Sequence, residues 1–175
     1  NDESLTLTDV VITESISTGF GGGILNAGDV LRLVNSALFQ NVSNFGGGIL
    51  NRSGGTLILE FSIIVLNGAV TQPTSTGGGI HNAGNLIISN STIAQNFASA
   101  SGAGITNIGS MDIHQSTIAF NSAGSAGGGG IDNRSTESVV ITNATISRNM
   151  TDLGNGGGIR NTRGTIDITN STISD

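Results

Sequence analysis

The sequence predicts an all-β, single-domain right-handed parallel β-helix, a solenoid of about seven three-sided coils spanning residues 1–175. Three observations carry that expectation. A Gly-rich hexapeptide recurs at a nearly constant period, two short alternating apolar segments follow each copy, and Asn recurs in step with both.

The hexapeptide Gly-Gly-Gly-Ile-x-Asn occupies positions 21–26, 46–51, 77–82, 128–133 and 156–161, and Gly102-Ala103-Gly104-Ile105-Thr106-Asn107 is a sixth copy. Its Ile recurs at 24, 49, 80, 105, 131 and 159, intervals of 25, 31, 25, 26 and 28 residues, which suits one three-sided turn of solenoid. Glycine there supplies a positive φ or a close backbone approach at a tight corner. Ala103 reads as a sign that the middle position alone tolerates a side chain.

About seven residues after each Ile comes a short alternating strand: Leu31/Leu33, Leu57/Leu59, Leu86/Ile88, Met111/Ile113, Val139/Ile141 and Ile166/Ile168, with Leu5/Leu7 before the first full copy. A further strand carries Ile12, Leu38, Ile64, Ile93, Ile118, Ile146 and Ile173, most of them two residues after a small residue such as Ser36 or Ser91. Period-2 alternation puts the apolar residues on one face, and strands this short bury that face only by stacking turn upon turn.

Asn stands three residues beyond that last apolar position at 41, 67, 96, 121 and 149, and a second polar column runs through Asn35, Asn90, Gln115, Asn143 and Asn170. Asn accepts left-handed backbone, and its amide can bond the same amide one turn along, so both columns suit bends in a parallel stack. Asn41, Asn51, Asn90, Asn133, Asn143 and Asn170 also open Asn-x-Ser/Thr triplets. The repeat itself generates them, so they read as bend chemistry first and glycan acceptors second.

The pairing of Gly77-Gly78-Gly79-Ile80 with Ile93-Ala94-Gln95-Asn96 resembles the repeats of chlamydial polymorphic outer membrane proteins and related bacterial parallel β-helix repeat proteins, over essentially the whole chain. The second motif there usually opens with Phe, where this chain has Ile or Leu. The resemblance implies a secreted or surface-displayed right-handed β-helix, often an adhesive passenger on a larger protein.

Composition narrows function further. The net charge of −6 and the lack of a basic stripe speak against nucleic-acid binding, and no apolar stretch approaches the roughly 20 residues of a membrane span. No charged n-region with an apolar core stands at Asn1, so any signal peptide is expected to have been removed. Absence of Cys excludes disulfides and thiolate metal sites. With two His and no Asp-rich nonapeptide, neither metal nor cofactor is expected. The triple Gly lacks the Lys and the helix of a phosphate loop.

Catalytic constellations are sought among side chains that stack on an outer face. One column reads Leu25, Leu50, His81, Thr106, Asp132, Arg160, where Asp132 and Arg160 are expected to form an exposed ladder ion pair. Another sets Ser89 beside His114, with Asp112 on the same face, but a flat strand face supplies no oxyanion hole. Thr92, Thr117, Thr145 and Thr172 form a column suggestive of ice binding, yet its neighbour reads Ala94, Ala119, Ser147, Ser174, so a two-column Thr array is missing.

In the early coils the same outward columns turn apolar. Val11, Ala37 and Ile63 beside Phe39 and Val65 suggest a lateral contact surface, with the 70–76 insertion as its expected cover. Repeat chemistry runs from Leu5 to Ile173 without an atypical capping repeat. Placing the first strands over the last coil sets Leu5 and Leu7 on Ile166 and Ile168, Ile12 on Ile173, and Asp2 opposite Arg163. The expectation is therefore a non-enzymatic, extracellular structural protein, secreted or at the cell surface, whose partner is itself in a head-to-tail polymer. The alternatives are an adhesin-like segment binding surface or matrix carbohydrate, and a carbohydrate-active β-helix enzyme.

Overall fold

The computed structural model describes residues 4–174 as an all-β parallel solenoid of about seven turns. Each strand lies beside its equivalent one turn away, always parallel. Parallel strands joined by such short connections wind right-handed.

A full turn carries four strands rather than the expected three. A first sheet of seven runs from Ser4–Thr8 to Ile166–Thr169, and a second of seven from Val11–Thr13 to Thr172–Ser174. A third sheet of five two-residue strands runs from Val42–Ser43 to Met150–Thr151, and a fourth of six from Ile24–Asn26 to Ile159–Asn161. The third sheet is too short to show alternation, and its inward residues are small: Ser43, Ala69, Ala98 and Ala123 are all fully buried.

The core is a set of columns at the expected positions. Ile49, Ile80, Ile105 and Ile131 line it from the fourth sheet, Leu38, Ile64, Ile93, Ile118 and Ile146 from the second, and Leu33, Leu59, Ile88, Ile113 and Ile141 from the first. Ile24 and Ile159, near the ends, are half-buried and pack against the same core.

The polar columns divide the two tasks that bends impose. At the corner between the first and second sheets Asn35, Asn90, Gln115, Asn143 and Asn170 take left-handed backbone, with φ between 47° and 53°. At the next corner the left-handed residue is the one before the Asn: Gln40, Leu66, Gln95, Phe120 and Arg148, at φ 52–58°. The following Asn are then free to point inward and bond. Asn41 donates to Asn67 Oδ1 at 2.9 Å, Asn67 to Asn96 at 3.1 Å, Asn96 to Asn121 at 3.0 Å and Asn121 to Asn149 at 2.9 Å. Each backbone N–H donates to that same oxygen, so the amide replaces the ladder partner the bend removes.

A second ladder links the Asn of the Gly-rich hexapeptides, from Asn26 through Asn51, Asn82, Asn107 and Asn133 to Asn161, in steps of 2.7–2.9 Å. The triple Gly has two physical causes. The first, as at Gly77 (φ 70°), needs left-handed backbone. The middle one presses on the third sheet, where a Cβ at Gly78 would sit 2.2 Å from the Phe97 carbonyl oxygen. Ala103 therefore marks local room, in a cluster with Ala69, Ala98 and Ala123, and not a tolerant position throughout.

Candidate functional site

From Leu50 to Asp132 the outward column of the fourth sheet is covered, and this is the main departure from expectation; Leu25 at its end stays exposed. Residues five positions before each of its members, Phe20, Phe45, Thr76, Ser101, Gly127 and Asn155, form their own parallel bridges and lie alongside. Between the two columns runs a narrow secondary core. Phe20 stacks on Phe45 with ring centroids 5.6 Å apart, and Phe45 meets His81 edge-on at 5.6 Å. Thr76 Oγ1 lies 3.1 Å from His81 Nδ1, and Thr106 Oγ1 donates to the Ser101 carbonyl at 3.2 Å.

One turn further, Asp132 is fully buried, not exposed. Its closer partner is Arg134, whose Nε donates to Oδ2 at 2.7 Å, while Arg160 Nη1 stands 3.6 Å from Oδ1. The Arg134 guanidinium also donates to Ser101 Oγ. Oδ1 itself accepts no hydrogen bond. A carboxylate out of water requires such cations, so the expected exposed ladder pair is instead a buried carboxylate holding two half-exposed guanidiniums. Burial, helped by the charge of Arg134, lowers the His81 pKa to about 4, so its ring is neutral at neutral pH.

The Ser89/His114 register is as expected, and Asp112 pairs with Ile87 and Val140. The Thr column is likewise in register, with Ala94 and Ala119 of its neighbour buried.

Of the lateral residues, Val11 pairs with Ala37 and Ala37 with Ile63, while Phe39 pairs with Val65. Val11 and Ile63 are exposed and the other three half-buried. The 70–76 insertion does not cover them. It leads into the fourth-sheet flank, where Thr76 bridges Phe45 and Ser101.

At the ends, Leu5 is 55% and Ile173 53% exposed, Ile168 is exposed, and Leu7, Ile12 and Ile166 are half-buried against the core. Arg163 lies in the turn after the last hexapeptide, and Asp2 lies outside the described residues. Among the sequons, Asn41, Asn51 and Asn133 are fully buried in the ladders, and only Asn90, Asn143 and Asn170 are exposed.

No protein-family model, curated protein or solved structure matches this chain.

Proposed function

We propose that this chain is a non-enzymatic structural solenoid that extends by stacking the coils of further copies on its own, head to tail, outside the cell. The observation that carries the reading is the complementarity of the two open coils. Ser4–Thr8 continues the first sheet beyond Ile166–Thr169, with Leu5 over Ile166 and Leu7 over Ile168. Val11–Thr13 continues the second with Ile12 over Ile173.

The described last turn stops after its second-sheet strand, leaving the third-sheet position over Met150 open. At such a joint the third and fourth sheets each lack one strand, so the first two sheets carry the contact and cover the exposed side chains of Leu5 and Ile173. Because different surfaces meet, the contact is heterologous and propagates.

Electron micrographs of the purified chain test the reading. Filaments one solenoid wide support it, and dispersed particles at high concentration reject it in favour of a passenger-like segment that binds a surface carbohydrate, as the repeat resemblance implies.

A further inference from the structure

Three of the six Arg in this chain, Arg134, Arg160 and Arg163, line a single open cleft of about 610 Å³, together with Ile108, Ala126 and Thr162. Such clustering is notable in a protein of net charge −6. Asp132 is the one carboxylate within ion-pair distance of these three among the described residues, so three positive charges less one negative leave the cleft two positive.

Burial of Asp132 also fixes where two of the guanidiniums point. Arg134 is held at 2.7 Å and by Ser101 Oγ, and both Arg134 and Arg160 keep about a third of their side chains in solvent. The ordering cost of presenting them to a ligand is thus already met by folding. Among the described residues Arg163 makes no ion pair, and it completes the set from the adjoining turn.

We infer that this cleft binds a carboxylate group carried by a ligand from solution. A guanidinium's planar donors match a carboxylate's two oxygens, and three of them converge on one opening. The lining spans three successive turns, from Ile108 to Arg163, and adds the exposed apolar body of Ile108. This elongated shape favours an extended acid, such as a uronic-acid chain, over a single ion. Binding alone is inferred, with no chemical step, and it does not depend on end-to-end stacking.

Isothermal titration of the full chain tests this with trigalacturonate, succinate and uncharged maltotriose. Acid binding that weakens as salt is raised is expected, with no heat from maltotriose. Binding of trigalacturonate alone identifies a uronate chain as the source, and equal binding of succinate a free acid. Arg163→Gln should weaken the acid about tenfold without shifting the melting temperature, because that side chain bonds nothing else described here. Arg160→Gln is the second variant and should weaken the acid similarly, but with a lowered melting temperature, because it also takes one cation from buried Asp132. Absence of heat from both acids, equal heat from maltotriose, or unchanged affinity in both variants overturns the inference. Sedimentation of the same samples reports assembly separately, so failure of one reading is not mistaken for failure of the other.

Discussion

Asn82 donates its side-chain amide to Asn107 Oδ1 at 2.7 Å across one turn, and Asn107 passes the same bond to Asn133 at 2.9 Å. Both residues are fully buried, and Asn107 also donates to the Gly109 carbonyl at 2.7 Å. Asn107→Ala therefore removes an acceptor from Asn82, a donor from Asn133 and the partner of the Gly109 carbonyl, and should cost roughly 2–4 kcal/mol. Asn143→Gly should be near neutral, because that residue is exposed at φ 53° and glycine accepts such backbone. Urea denaturation of the two variants checks the contrast.

Core and corner should fail in different ways. Ile105→Ala removes a fully buried side chain from the middle of its column and should cost about 2–5 kcal/mol through the cavity left behind. Gly78→Ala should cost about 1–3 kcal/mol by overpacking against the Phe97 carbonyl, whereas Ala103→Gly should be mild. Thermal melts followed at 218 nm measure all three.

His81 gives the fold an acid-sensitive element. Its folded-state pKa of about 4 lies below the ordinary value of 6.5, so the unfolded chain takes up the proton first as pH falls. The neutral ring's contribution is complete above about pH 6.5 and is lost on acidification toward pH 4, a loss of roughly 3 kcal/mol. His81→Leu, matching Leu25 and Leu50 of the same column, should flatten this part of the stability profile. An unaltered slope in the variant would assign the acid sensitivity elsewhere.

Glycosylation should follow burial and not sequence. Expressed through a eukaryotic secretory pathway and allowed to fold first, the chain should carry glycan at Asn90, Asn143 and Asn170. Asn41, Asn51 and Asn133 should stay bare, because their amide nitrogens are buried donors in the ladders. Peptide mass mapping reads the occupancy directly.

The columns of Ile49 and Leu38 were legible because a period near 25 with alternation inside it has few structural solutions. The third sheet was not, since Phe97–Ala98 or Ser122–Ala123 is too short to carry a pattern. Asp132 looked solvent-facing because its strand neighbours point inward, and what buries it lies off that strand. A signal was present nonetheless: Phe20 and Leu25, Phe45 and Leu50, Thr76 and His81, Ser101 and Thr106 keep one five-residue spacing, and the first two pairs are apolar. Arg134 was missed because it follows the hexapeptide, outside the aligned column.

Sedimentation velocity over about a hundredfold range of concentration tests the assembly claim most directly, with the unaltered chain run beside Leu7→Lys, Ile168→Lys and their double variant. Each substitution sets a charge on a coil face meant to meet another copy, while the core from Leu33 to Ile146 is untouched. The account predicts large, polydisperse species that grow with concentration for the unaltered chain, and monomers with intact β-structure for the double variant. A single monomeric boundary for the unaltered chain at every concentration contradicts it.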